Sequence, residues 1–513
     1  MNLKRNSLIT GTLLLTFTGF ISRILGFVYR IFLSRTIGAE GLGIYQMIFP
    51  LYGICMAICA SAIETAISRF VAANLSRTRS VLRTGFLISF SLSLITAGLI
   101  FCFSDFLAVH VLMEPRCAKL LPIMALAIPC TSIHDCICGC CYGSQKASIP
   151  GLSHLVELSA RMITVFFLAS YCLEHGIEIT VTVAVYGLLA GEATSALFTL
   201  LSFLLSGIGK QKTKSTASHM THTAGRLSFW QDFQITAASL MTMALPLIAN
   251  RLVLSGLQSA EAILIPNRLS AFGLTSSEAI STYGTLTGMA VPFIMFPSTI
   301  STSLAVMLLP TVSQAQAAGN HSHIGLTAER SISFSLTIGI LFTGIFILFG
   351  KDLGMTVFHS EAAGIYITIL AWLCPFLYLC TTLGSILNGL GKTSTTFINQ
   401  VAAQLLLLTF VVFGIPKFGI IAYLWGNLAA QLFLTALHIW ALRREIPFSF
   451  HAAENLLKPM LCILVAVGIF LFFQTTIQPA LPTENPWILL ILEGGLYTGA
   501  YLLTLWGLHW SKK

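Results

Sequence analysis

Residues 84–104, TGFLISFSLSLITAGLIFCFS, run for twenty-one positions without a charged side chain. An α-helix of that length rises about 30 Å, the thickness of a bilayer's hydrocarbon core, and satisfies its own backbone hydrogen bonds. The stretch is therefore expected to cross a membrane. Outward from it the pattern repeats. Apolar windows of crossing length fall near 8–34, 43–71, 84–104, 120–142, 149–173, 180–205, 235–265, 284–310, 331–350, 364–388, 395–415, 418–441, 457–474 and 488–509. The implied fold class is an all-α polytopic membrane protein with about fourteen transmembrane helices. Composition agrees, because 56% of the 513 residues are hydrophobic and only 9% charged, against roughly 25% charged in a soluble domain.

Most of the thirteen cysteines sit inside these apolar runs, so they read as packed free thiols and no disulfide framework is expected. Lys4 and Arg5 ahead of an apolar run imitate a signal peptide. No small-x-small cleavage site closes that run, so it is expected to remain as the first span. The longest polar interruption, 206–228, is Ser/Thr-rich, carries Lys210, Lys212 and Lys214, and reads as a cytoplasmic linker. The net charge of +9 has no basic face interleaved with aromatics to suit nucleic acid; it reports topology instead. With the N-terminus inside, seventeen of the 28 Lys and Arg residues are cytoplasmic, six lie opposite and five fall within spans. That asymmetry predicts a cell-membrane protein with both termini cytoplasmic.

A weak internal duplication runs along the chain. Ile128-Pro129 through Gly143-Ser144-Gln145-Lys146 resembles Cys374-Pro375 through Gly389-Leu390-Gly391-Lys392 at an offset of 246. Tyr45 after Gly38-Ala39-Glu40-Gly41 matches Tyr283 at an offset of 238. Spans one to six are thus expected to recur as seven to twelve. The expected domains are an N-lobe at 1–205, the linker at 206–228, a C-lobe at 229–446 and a terminal helix pair at 447–513. Six is even, so both lobes enter the membrane in the same direction, with a substrate site expected between them.

Charged side chains inside spans cost at least about 2.5–3.5 kcal/mol each on insertion scales, so each asks for a reason. Arg23 and Arg30 are two turns apart on one face of span one. Span two adds Glu64 and Arg69, the latter close enough to the cytoplasmic end to snorkel. Glu157 and Arg161, four apart on span five, can neutralise each other. Glu192 lies on span six, and Arg251 and Glu261 on span seven, with Arg268 just beyond. In the repeat register Arg30 matches Arg268 and Arg23 matches Glu261. Arginines so placed suit a concentrated negative charge such as a pyrophosphate; pairs such as Arg23 with Glu261 would equally serve as gates. Arg23, Arg30, Arg69, Arg251 and Arg268 are therefore the candidate substrate-binding residues. Glu64, Glu157, Arg161, Glu192 and Glu261 are the candidate coupling or gating residues.

The run from His134 to Cys141 suggests metal at first sight, but it lacks a matched second cluster at zinc spacing and reads as small-residue helix packing. No G-x-x-x-x-G-K-S/T loop occurs, so ATP is not expected as a direct energy source. Neither a catalytic constellation nor a cofactor site is expected; Na⁺ or H⁺ coupling and the membrane potential are the candidate driving forces.

Two segments carry a family likeness. Ser22-Arg23-Ile24-Leu25-Gly26-Phe27-Val28-Tyr29-Arg30, followed by Gly38-Ala39-Glu40-Gly41-Leu42-Gly43-Ile44-Tyr45, resembles the opening of polysaccharide-biosynthesis lipid flippases. Glu261-Ala262-Ile263-Leu264-Ile265-Pro266-Asn267-Arg268, then Tyr283-Gly284-Thr285-Leu286-Thr287-Gly288-Met289-Ala290, resembles the sporulation-type (stage V) members of that family. The resemblance implies the multidrug/oligosaccharidyl-lipid/polysaccharide exporter superfamily, whose lipid II flippase branch moves undecaprenyl-pyrophosphate-linked sugars to the outer leaflet. It implies a transporter rather than an enzyme, a role in spore-cortex peptidoglycan, and cavity-facing roles for Arg23, Arg30 and Arg69. Implied partners are the lipid-linked saccharide, membrane lipids and cell-wall synthesis enzymes. The rival expectations are a drug/cation antiporter of the same fold and a non-transporting membrane component of glycan synthesis.

Overall fold

The computed structural model describes residues 2–146, 148–206, 229–448, 453–477 and 485–510. The expected linker at 206–228 lies, after Ser206, outside them. Two compact units divide the chain at Ile263 and Leu264.

Unit 1 comprises α1 (Asn2–Met47), α2 (Phe49–Cys59), α3 (Ser61–Ala73), α4 (Thr78–Cys102), α5 (Leu121–Gly143), α6 (Ser148–Glu174), α7 (Thr182–Ser206) and most of α8 (Phe229–Phe272). The helical run Phe17–Ala73 is 57 residues long and would extend about 86 Å if straight. It is turned at Gly38, whose φ of 70° and ψ of −177° belong to a region essentially reserved for glycine. One run therefore supplies two crossings. The second is broken again at Ala60, with φ −124° and ψ −69°. Between α4 and α5, Arg116 Nε donates to Glu114 at 2.6 Å and its Nη1 to Glu40 of α1 at 2.5 Å. The Glu114 hydrogen bond, followed by that from Glu40, holds the guanidinium above its ordinary pKa.

Unit 2 contains α9 (Ser276–Gly284), α10 (Val291–Met295), α11 (Ser298–Ala317), α12 (His321–Phe358), α13 (Glu361–Leu370), α14 (Cys374–Gly389), α15 (Thr393–Thr409), α16 (Ile420–Glu445), α17 (Lys458–Phe472) and α18 (Pro486–Trp510). A π-helical stretch, Thr285–Ala290, joins α9 to α10. The pair Ser276–Met295 and Ser298–Ala317 is bent by 57°, with Pro297 in the break. A proline there lacks the N–H that would continue the helix.

Among the described residues, twelve helices are long and apolar enough to cross a membrane, and the bent pair is a thirteenth. Counting Phe17–Ala73 as two crossings brings the total to the expected fourteen. The protein is all-α and multi-pass. Large apolar side chains such as Leu173, Leu205, Phe413 and Leu503 are exposed, as lipid solvation permits.

Small residues set the packing distances. A Cβ on Gly139 would lie 2.6 Å from the Glu64 carbonyl oxygen, and one on Gly143 would lie 2.5 Å from that of Ser68. In unit 2 a Cβ on Gly389, 246 positions after Gly143, would lie 3.0 Å from the Leu309 carbonyl. The helix ends match too. Lys146 N donates to Cys141 O and Lys392 N to Leu387 O, both at 2.9 Å, around left-handed Gln145 (φ 58°) and Gly391 (φ 79°). Ile63, Ile67 and Val71 of α3 pack with Cys136, Cys140, Leu240 and Ala244 as an apolar core of unit 1. In unit 2, α17 and α18 seat Phe470, Tyr497 and Tyr501 against α12, where Tyr501 Oη donates to Thr337 O at 3.0 Å.

Candidate substrate and coupling site

The i,i+4 spacing puts Glu157 and Arg161 on one face of α6, and Arg161 Nη2 donates to Glu157 Oε1 at 2.6 Å. The same nitrogen reaches Glu192 Oε1 on α7 at 3.4 Å. Close approach of the two helices requires glycine, because a Cβ on Gly191 would lie 3.0 Å from the Glu157 carbonyl oxygen. Thr131 of α5 donates to Glu192 Oε2 at 3.0 Å and shares a 2.8 Å hydrogen bond with Tyr52 of α2. A second arm leaves Glu157. His154 Nδ1 lies 3.4 Å from its Oε2 and meets the His134 ring edge-on at 5.6 Å. His134 in turn pairs with Ser153 at 2.9 Å and with Asp135 at 3.2 Å. Polar contacts thus run from Tyr52 on α2 through Glu192, Arg161 and Glu157 to the exposed ring of His154, where a ring contact reaches the buried His134 and, beside it, Asp135 on α5.

The energetics are those of buried ion pairs. Side-chain exposures of 12% for Arg161, 15% for Glu157 and 8% for Glu192 leave little water to screen them. Removing one partner of such a pair typically costs about 3–5 kcal/mol, because the other charge is stranded. Two carboxylates share Arg161, so the trio carries one surplus negative charge when fully ionised. Arg30 of α1, half-buried, supplies a further positive charge within electrostatic reach of Arg161 and Tyr45.

Several donors here have no acceptor. The hydroxyls of Tyr29 and Tyr45 and the Nε of Arg161 are buried and make no hydrogen bond among the described residues. Each orphan costs about 1–3 kcal/mol. The Arg161 guanidinium is already held by two carboxylates, and the two tyrosine hydroxyls lie within its electrostatic reach.

The structure gathers Arg30, Glu157, Arg161 and Glu192 into this network. Glu64 is half-buried on α3 and feels the charges of Asp135, His134, Arg251 and His154. Arg251 of α8 donates to Thr65 on α3 at 3.2 Å. Glu261 and Arg268 are half-buried along α8, and Arg268 carries a buried Nε without a hydrogen bond. Arg23 and Arg69 are exposed and stand outside the network.

Tyr29, Tyr45, Tyr52, Thr131, His134 and His154 were not singled out as site residues by sequence reasoning. The run from His134 to Cys141 divides in function: Cys136 and Cys140 pack in the apolar core, while His134 turns to Ser153. A buried imidazole needs a polar partner, and that requirement was the available signal. No group of three or more His, Cys, Asp or Glu residues forms a metal-binding set among the described residues.

These features define a multi-pass helical membrane protein with a charged interior. A family model for polysaccharide biosynthesis proteins matches residues 8–316, more than half the chain, and a MatE model matches 268–413. The chain belongs to the polysaccharide biosynthesis protein family. It is 26% identical over 465 residues to stage V sporulation protein B of Bacillus subtilis (strain 168), covering 89% of this chain and 87% of that protein. Lipid II flippase MurJ of the same organism is 24% identical over 428 residues, covering 77% and 75%. A solved structure of lipid II flippase MurJ in an inward closed conformation superposes with a TM-score of 0.68 at 15% identity, covering 96% of this chain and 98% of that one; that likeness concerns the fold.

Proposed function

We propose that this protein is a flippase that moves an undecaprenyl-pyrophosphate-linked oligosaccharide, a lipid II-like precursor, outward across the cell membrane by alternating access. The observation that carries the reading is the set of orphan donors beside Arg30 and Arg161, since a pyrophosphate offers the acceptors that those donors lack. Arg23, Arg69, Arg251 and Arg268 extend the positive charge available to the head group. The name of the lipid II flippase relative supports a lipid-linked precursor, and that of the stage V relative supports a role in sporulation; spore-cortex synthesis beside cell-wall synthesis enzymes is part of the same proposal. Lysine and arginine asymmetry supports cytoplasmic termini.

The inside-negative potential favours the direction, because one negative charge moving outward across the full field gains about 2.3 kcal/mol per 100 mV. Glu64, Glu157, Glu192 and Glu261 are the positions at which Na⁺ or H⁺ would couple or a gate would form. Reconstitution in liposomes with a fluorescent lipid-linked saccharide tests the proposal. Transport that falls at least tenfold in Arg30→Ala supports it. Efflux of an organic cation without lipid movement would establish the antiporter instead, and neither activity would leave a non-transporting component. Rescue of Arg23→Glu by Glu261→Arg would assign that pair to gating.

A further inference from the structure

Unit 2 holds a pocket of about 490 Å³ between α11, α14, α15 and α16, within the roughly 300–1,000 Å³ range of small-molecule sites. No Asp, Glu, Lys or Arg lines it. A phosphate or metal cation entering there would lose hydration without gaining a counter-charge. The wall is nonetheless polar. His438 is only 5% exposed, and both of its ring nitrogens lack a hydrogen-bond partner. Gln400 and Gln431 bring two more side-chain amides to the lining. Asn388 accepts from Thr396 at 2.8 Å through its oxygen, which leaves its NH₂ group for the pocket. Gly384 leaves the imidazole uncovered, since a Cβ there would first meet His438 Cε1, at 3.7 Å.

We propose that this pocket is a subsite for a neutral, hydroxyl-rich ring, the sugar portion of the lipid-linked substrate. Three amides and one imidazole present donors and acceptors side by side, and neighbouring sugar hydroxyls, each both donor and acceptor, answer them in kind. Val306, Leu309 and Leu434 supply apolar wall for the C–H faces of such a ring. The carboxylate–guanidinium network of unit 1 has no equivalent in this lining. The inference rests on the reading of a lipid-linked saccharide as substrate.

The test compares two probes on the purified full-length protein in nanodiscs: undecaprenyl pyrophosphate, and undecaprenyl pyrophosphate bearing a disaccharide. The wild type should bind the sugar-bearing lipid more tightly. His438→Leu and Gln431→Leu should each weaken that binding about tenfold, the size of one lost hydrogen bond, and leave the bare lipid unchanged. His438→Gln should recover part of the loss. Gly384→Leu, which fills the pocket, should abolish the preference for sugar and serves if His438→Leu does not fold. Equal weakening toward both lipids, or no weakening in any variant while the wild type binds both, would overturn the subsite and leave the flippase reading standing. Failure of the wild type to bind either lipid would overturn both.

Discussion

Buried ion pairs mark unit 1, whereas buried side-chain pairs in unit 2 include hydroxyl and thiol contacts. In unit 1, α5, α6 and α7 surround a guanidinium held by two carboxylates and tied through Thr131 to Tyr52. In unit 2, buried side-chain contacts between helices include Ser335 with Thr382 at 2.6 Å and Cys380 with Thr435 at 3.0 Å. Unit 1 also contains a hydroxyl pair, Ser89 with Ser132 at 2.7 Å. The ion pairs of unit 1 are a surplus over that shared kind of contact. That surplus is the strongest physical pointer to chemistry beyond packing.

Arg161→Ala breaks the contrast most severely. It strands Glu157 and Glu192 and should cost about 3–5 kcal/mol, read as a large fall in the thermal midpoint of the detergent-solubilised protein. Making unit 1 resemble unit 2 sharpens the point. A triple variant, Arg161→Met with Glu157→Gln and Glu192→Gln, should recover most of that stability, as neutral replacements of buried ion pairs generally do, yet remain inactive in lipid transport. Recovery of both stability and transport would make the network purely structural. Next in size are the paired glycines: Gly143→Ala and Gly389→Ala should each cost roughly 1–3 kcal/mol. The larger loss is expected at Gly143, where the opposing carbonyl is nearer. The smallest effect concerns the turns that follow. Gln145→Gly should stabilise by about 1 kcal/mol by relieving a left-handed backbone, and Gly391→Ala should lose about as much, both measurable as shifts in the same thermal midpoint.

The spans were legible in the sequence because lipid imposes a long apolar window on any crossing helix. Glu157 with Arg161 was legible because both partners sit one turn apart on one helix. The rest of the network was not. Glu192 is 31 residues from Arg161 and 61 from Thr131, and Tyr52 is 79 from Thr131, so only helix packing brings them together. The break at Ala60 carries neither proline nor glycine at the break itself, and its counterpart in unit 2 is marked by Pro297. The neutral pocket was hidden for another reason. Asn388, Gln400, Gln431 and His438 are each unremarkable alone, and their shared lack of charge is visible only once the fold assembles them.

The turn at Gly38 has a consequence for biogenesis. A nascent chain presents Phe17–Ala73 to the insertion machinery as one long, mainly apolar segment, far longer than a bilayer can accept. Whether it enters as a hairpin depends on a single residue adopting a backbone geometry closed to every side chain but glycine's. The hairpin makes its two crossings run in opposite directions while the Lys and Arg bias decides which end stays inside, so a side chain at Gly38 is expected to disturb the first reversal of the chain.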